Sequence, residues 1–135
     1  MLVPLTDRMN GYGAYFKERW DARESFISVE QDVVPIGGLI AGMIACESEI
    51  CFASYIYPGQ PERLERGTYL GCVKITERFM DRTPDLFDAQ PLDWHKPEAL
   101  IWNALQVNPP CYHDSALHLH VDSRWPIAEI NRYGN

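Results

Sequence analysis

One dense apolar stretch, residues 35–58, constrains the fold of this chain more than any other feature. It is interrupted by charge only at Glu47-Ser48-Glu49, which predicts a turn between two strands at 39–46 and 50–57. Successive side chains of a strand point to opposite faces, and here both sets are mostly apolar, so both faces need cover. The stretch therefore predicts a central β-hairpin, over about residues 38–57, around which the remaining elements pack.

Further elements are predicted on both sides of this hairpin. Alternating residues indicate strands at 25–30, 68–76 and 115–123, while helical spacing and end signals indicate helices at 14–23 and 97–107 and one turn at 62–66. Because the strands follow one another through turns, with helices before and after them, we expect an α+β fold. It would have a small, largely antiparallel sheet of four or five strands, with two or three short helices packed on it. At 135 residues, a single globular domain over 1–135 is expected.

The charge and the hydrophobicity exclude two classes of partner. The formal net charge is −7, and the 12 Lys and Arg residues are scattered, whereas nucleic acid binding needs clustered cations. The apolar run at 35–46 is shorter than the roughly 20 residues that a membrane-spanning helix requires. We therefore expect neither nucleic acid nor membrane as a partner. Four cysteines without a visible export signal are typical of reduced thiols in a cytoplasmic protein.

The strongest chemical signal is a group of metal-ligating residue types near the C-terminus. In a strand at 115–123, His118 and His120 would project from one face with Cα atoms roughly 7 Å apart, which lets two imidazoles bind one zinc ion. Cys111 or His113 could supply a third ligand, and Asp122 a further ligand or a partner that orients a histidine. The same pattern also fits surface residues of an edge strand. No cofactor is predicted, although this pattern would allow a zinc ion.

The remaining cysteines suggest a different chemistry. Cys46 and Cys51 would lie opposite each other in the predicted hairpin, close enough for a disulfide. Their four intervening residues differ from the two of the Cys-x-x-Cys motif that is used in redox and zinc sites. Two small buried thiols beside a turn are the alternative interpretation, and Cys72 is expected in the core.

A third group of residues predicts a protein-binding surface. The side chains expected to be exposed in the C-terminal half are two tryptophans and three carboxylates: Trp94, Trp125, Asp85, Asp88 and Asp93. Tryptophan is favoured at interfaces, and the carboxylates would suit a basic partner.

These features support three hypotheses about function. The leading hypothesis is a non-catalytic module that binds another protein, such as a small accessory inhibitor, an immunity-type protein or an assembly subunit. The alternative is a small zinc-dependent hydrolase that uses Cys111, His113, His118, His120 and Asp122. A pocket for a small molecule, lined by Tyr55, Tyr57 and Tyr69, is the third. Since a symmetric dimer could cover a sheet with two apolar faces, we also expect a homo-oligomer.

Overall fold

The computed structural model describes residues 11–30, 33–57, 60–65, 70–88, 96–105 and 110–118. Within these ranges the helices are α1 (Gly11–Ala22), α2 (Leu39–Ala45), α3 (Glu77–Arg82) and α4 (Lys96–Ala104). The strands are β1 (Phe26–Val29), β2 (Val33–Pro35), β3 (Ile50–Tyr57), β4 (Gln60–Glu65), β5 (Cys72–Ile75) and β6 (Cys111–His118). The predicted small α+β fold is confirmed. None of the described helices is long and apolar enough to cross a bilayer.

The chain separates into two compact units, Met1–Phe26 with Thr76–Pro109 and Ile27–Ile75 with Pro110–Asn135. We call them the helical unit and the sheet unit and describe each by itself. The prediction of one domain over 1–135 stays a prediction.

The helical unit is built on an aromatic core. Phe16 and Trp20, one turn apart on α1, are both buried, as are Phe79 of α3 and Phe87. The rings of Trp20 and Phe87 meet edge to face, with centroids 4.6 Å apart, which is a favourable arrangement for aromatic pairs. α3 begins at a threonine N-cap, because the hydroxyl of Thr76 accepts a hydrogen bond from the N–H of Phe79. The unit is therefore held together mainly by aromatic packing.

The sheet unit is organised around β3. The strand order is β1-β5-β3-β6-β2, and β4 also pairs with β3. β3 is antiparallel to β4 and β5 and parallel to β6, while β6 is antiparallel to β2. All residues from Ile50 to Tyr55 are buried, so both faces of β3 are covered, as its continuous apolar sequence predicts. The sheet is mostly antiparallel with one parallel pair, which brings residues about sixty positions apart onto neighbouring strands.

The predicted hairpin is wrong in its first strand, because 39–46 contains the helix α2. Leu39 and Met43, four residues apart, are buried on one side of α2, whereas Ile44 is 69% exposed. A short apolar run fits a buried helix as well as a buried strand, and Leu, Ala and Met are strong helix formers. The partners of β3 are instead β4, β5 and β6. The helical turn predicted at 62–66 is also wrong, since Gln60–Glu65 is a strand.

α2 covers one face of the sheet. Leu39 and Met43 form a buried cluster with Cys51, Ala53 and Tyr55, which are alternate residues of β3 and therefore share a face. The opposite face of the same strand carries Phe52, whose ring lies 6.1 Å from that of Tyr112 on β6. The face beneath α2 is the one that carries the candidate site.

Candidate metal centre

A row of three reactive side chains crosses the sheet beneath α2. Cys51 of β3 lies directly opposite Lys74 of β5 on one side and Cys111 of β6 on the other. Residues directly opposite on paired strands point to the same face. His113, two residues after Cys111, shares that face and lies opposite Ala53, whose small side chain leaves room for an imidazole.

The fourth residue comes from the connection between α2 and β3. Cys46 is the C-cap of α2, and its N–H donates to the carbonyls of Gly42 and Met43. Its extended backbone, φ −72° and ψ 131°, leaves the helix immediately. Because α2 packs on the face that carries Cys51, this connection sets the Sγ of Cys46 3.6 Å from the Sγ of Cys111.

The four side chains lie close enough together to form a tetrahedral metal site. The ligand atoms of Cys46, Cys51, Cys111 and His113 all lie within 4.8 Å of one another. For tetrahedral zinc with ordinary bond lengths, two thiolates are about 3.8 Å apart, and a thiolate and an imidazole nitrogen about 3.6 Å. The observed separations are 3.6 Å between the two Sγ atoms of Cys46 and Cys111 and 3.5 Å between Cys111 Sγ and His113 Nε2. This group could hold a metal ion.

Hydrogen bonds and burial shift the pKa values of the thiols in opposite directions. The backbone N–H of Ser48 lowers the pKa of Cys46 to about 6, helped by the Ser48 hydroxyl, and His113 and Cys51 act in the same direction. Burial raises the pKa of Cys51 to about 12, and Cys46 adds to that shift while the charge of Lys74 opposes it. A thiolate is the form that binds metal, so a metal ion held here would find Cys46 largely as its thiolate but would have to displace a proton from Cys51.

Lys74 adds a positive charge to the edge of this group. Its side chain is only 7% exposed, and its ammonium donates a hydrogen bond to the backbone carbonyl of Cys46. Lys74 thus links the row on the sheet to the connection that carries Cys46.

The structure brings together part of the metal site that the sequence predicts. Cys111 and His113 belong to the group. His118 is the last residue of β6, opposite Val33, and its side chain lies outside the described part of the chain, as do His120 and Asp122. The site at those three residues stays a prediction.

Sequence reasoning missed Cys46 and Cys51 as ligands and considered them as a disulfide or as inert buried thiols. All four cysteines are free in the structure. The available signal was the presence of two closely spaced pairs, Cys46 with Cys51 and Cys111 with His113, but only the parallel pairing of β3 with β6 unites them. Cys72 lies in the core as expected, with its Sγ 3.9 Å from the sulfur of Met43.

The predicted protein-binding surface is only partly described. Asp85 and Asp88 are exposed in the helical unit, and a carboxylate oxygen of Asp88 lies 3.4 Å from the ammonium of Lys17. Asp93, Trp94 and Trp125 lie outside the described residues. The surface therefore stays a prediction.

Comparison with known proteins gave no significant match to a family model, to a curated protein or to a solved structure. The class of this protein follows from its own geometry: a small α+β protein with a group of three cysteines and one histidine on its sheet.

Proposed function

We propose that this protein is a non-catalytic zinc-binding protein in which Cys46, Cys51, Cys111 and His113 hold one zinc ion. The observation that carries the proposal is the pair of separations, 3.6 Å for S···S and 3.5 Å for S···N, which match the edges of a zinc tetrahedron. Spacing alone in the sequence could not have supplied this argument.

The donor set favours zinc over the harder cations. Three thiolates and one imidazole are soft to intermediate ligands, and a tetrahedral site of sulfur and nitrogen is typical of zinc. Magnesium and calcium prefer oxygen ligands, which this group does not supply.

The number of protein ligands favours a structural role over a hydrolytic one. A catalytic zinc site keeps one position open for water, whereas four protein ligands complete the tetrahedron. An ion held here would tie β3 and β6 to the connection after α2. We therefore favour the non-catalytic hypothesis, in which the zinc-stabilised fold acts by binding another protein.

The remaining parts of the proposal concern partner and location. The net charge of −7 would suit a basic partner, and the exposed carboxylates of Asp85 and Asp88 would be part of that surface. We place the protein in the cytoplasm, since four free thiols suit a reducing compartment. A homo-oligomer is also part of the proposal.

Metal analysis of protein purified without a chelator or a metal-binding tag tests the zinc site. We expect one zinc per chain, and replacement by cobalt should produce a thiolate charge-transfer band with the intense d–d bands of tetrahedral cobalt. Cys51→Ser, Cys111→Ser and His113→Ala should each lose stoichiometric metal. Cys72→Ala is the matched control, since Cys72 is a buried thiol outside the group and its replacement should leave the metal in place. Protein that binds no metal, or that keeps it after Cys51→Ser and Cys111→Ser, would refute the proposal.

Cys51→Ser, together with three further variants, distinguishes the alternative, a zinc-dependent hydrolase using Cys111, His113, His118, His120 and Asp122. That hypothesis requires metal to survive Cys46→Ser and Cys51→Ser but to be lost from His118→Ala and His120→Ala. The proposed centre requires the reverse.

A further inference from the structure

We infer that Lys74 is a positioning residue of the proposed zinc centre: its buried ammonium balances the charge of the metal with its three thiolates and holds the Cys46 connection over the sheet. The inference rests on the proposed function, since it deepens the description of the same site. It concerns a residue that is not itself a ligand.

The burial of Lys74 needs an explanation. Lysine is rarely buried without a partner, because moving an ammonium out of water is costly unless an opposite charge lies nearby. The side chain is only 7% exposed, and among the residues that the structure describes no carboxylate lies within ion-pair distance of its nitrogen. Its polar contact is the backbone carbonyl of Cys46. A neutral carbonyl accepts one of the three ammonium hydrogens but supplies no full opposite charge.

A zinc ion with these ligands supplies the missing negative charge. The ion contributes two positive charges and the three thiolates three negative ones, while a ligating histidine is neutral, so the centre carries one net negative charge. The ammonium of Lys74 brings the total to zero. Each buried charge would then compensate the other, which lowers the cost of burying both.

The strand register places Lys74 where it can act in this way. Lys74 lies directly opposite Cys51 and on the same face of the sheet. Its hydrogen bond to the Cys46 carbonyl fixes the connection that sets Cys46 Sγ 3.6 Å from Cys111 Sγ. Partners of this kind orient metal ligands, and their loss typically reduces metal affinity without changing the ligands themselves.

A purely structural role of Lys74 and a role at the zinc centre predict different effects of Lys74→Met on stability and on zinc affinity. If Lys74 merely stabilised the fold, Lys74→Met would lower the stability of the metal-free protein and leave zinc affinity unchanged. If Lys74 serves the centre, Lys74→Met should change the stability of the metal-free protein little, since replacing a buried charged group by an apolar one of similar size is often neutral. The same change should weaken zinc binding.

Zinc affinity, measured by competition with a chromophoric chelator, tests this inference. We expect Lys74→Met to weaken affinity by roughly ten- to a hundredfold, the usual effect of losing a residue that supports the ligands. The cobalt spectrum should be unchanged, since the four ligands remain. Lys17→Met in the helical unit is the control: it changes the net charge by the same amount, lies on an exposed ion pair and should leave zinc affinity unchanged.

A second variant separates charge from hydrogen bonding. Lys74→Gln keeps a donor for the Cys46 carbonyl but removes the charge, so it should also weaken zinc binding, by less than Lys74→Met does. Zinc affinity within twofold of the original in either variant would overturn the inference. If the unaltered protein itself binds no zinc, the proposed function fails first, so the two failures can be told apart.

Discussion

The two units of this protein bury different kinds of side chain. In the helical unit the largest buried side chains are aromatic, and the polar group of the central ring is satisfied, since the indole N–H of Trp20 donates to the carbonyl of Thr83 at 2.9 Å. In the sheet unit the face beneath α2 buries a lysine and a thiol in the same row, beside two half-buried cysteines. Apolar packing explains the first set, but it does not explain the second.

The contrast also holds within the sheet unit. On the opposite face of β3, Phe52 is fully buried beside Tyr112, so these strands can form an ordinary apolar layer. Among the described residues, the buried polar side chain on that face is the small Ser54, whereas beneath α2 a buried ammonium lies beside three thiols and an imidazole. A buried position that carries a costly group instead of an apolar one is therefore the best guide to function in this chain.

The largest effect is expected from removing Trp20, the side chain at the centre of the aromatic core of the helical unit. Trp20 is 1% exposed and packs against Phe16, Phe79 and Phe87, so Trp20→Ala should destabilise the protein by about 3–5 kcal/mol. Urea unfolding with and without zinc measures the loss, which should be the same in both conditions. Trp102→Ala is the control, because Trp102 is 51% exposed and its removal should cost little. A loss that zinc reverses would show that the aromatic core depends on the metal.

The next largest effect is expected from the metal itself. At free zinc a hundred times above the dissociation constant, binding should stabilise the folded state by about 2.7 kcal/mol. Hydrogen exchange locates the effect: the amides of β3 and β6 should be protected by zinc and exposed again by a chelator, while those of α1 should change little. Equal protection of α1 would contradict the assignment of the site to the sheet unit.

Much of the fold could be predicted because long patterns specify it. The strand at Ile50–Tyr57 and the helices at Gly11–Ala22 and Lys96–Ala104 are confirmed within a few residues of their predicted ends. The prediction for the seven residues of α2 was wrong, because a short run that is apolar on every side has no periodicity that distinguishes a helix from a strand. Only its contacts, with Leu39 and Met43 buried and Ile44 exposed, decide the matter.

The candidate site could be predicted only by half. Cys111 and His113 are two residues apart, and local spacing is enough to suggest shared ligation. Cys46 lies 65 residues before Cys111, and nothing local indicates that β6 would run parallel to β3. Long-range strand pairing is the information that a single sequence does not contain. The wrongly predicted strand at 39–46 would have occupied one edge of β3, and this left no reason to consider that β6 pairs there.

The acidity of one thiol provides a third test. In the metal-free protein the pKa of Cys46 is lowered to about 6 by Ser48, so the reactive thiolate forms as the pH rises through that value. Alkylation of Cys46 by iodoacetamide should therefore be roughly tenfold faster at pH 7 than at pH 5. Cys72, whose pKa burial raises to about 11, should not react in the folded protein, and it serves as the internal control. Zinc should protect Cys46, and a Cys46 midpoint near pH 8.5 would contradict the described hydrogen bonds.

A smaller effect is expected at Gly42, where α2 approaches the site. A Cβ added there would lie 3.8 Å from Nδ1 of His113, an ordinary contact, and alanine favours a helix by about 0.5–1 kcal/mol over glycine. Gly42→Ala should thus raise the melting temperature of the metal-free protein slightly and leave zinc affinity unchanged. Gly42→Leu, which needs more room, should displace the imidazole and weaken zinc binding. Equal zinc affinity in both variants would show that α2 does not pack against His113.

The smallest effect is expected at Ile44, where helix and strand hypotheses differ most. A strand at 39–46 would need cover over Ile44, but the helix leaves it 69% exposed, so Ile44→Asp should change the free energy of unfolding by no more than about 0.5 kcal/mol. The adjacent Met43 is fully buried, and Met43→Asp is the matched variant that should prevent folding, since it buries a charge without a partner.

Ile44→Asp also tests the predicted homo-oligomer. That prediction depended on two uncovered faces of a hairpin, whereas α2 now covers one face of β3. What supports self-association is therefore reduced to exposed apolar side chains such as Ile44. Sedimentation at micromolar concentration tests the proposal: the unaltered protein should have the mass of an oligomer and Ile44→Asp the same mass, whereas a single-chain mass for both would remove the proposal. If Ile44→Asp instead converts a dimer to a monomer and loses stability with it, a second copy covers α2, and the exposure of Ile44 belongs only to the isolated chain.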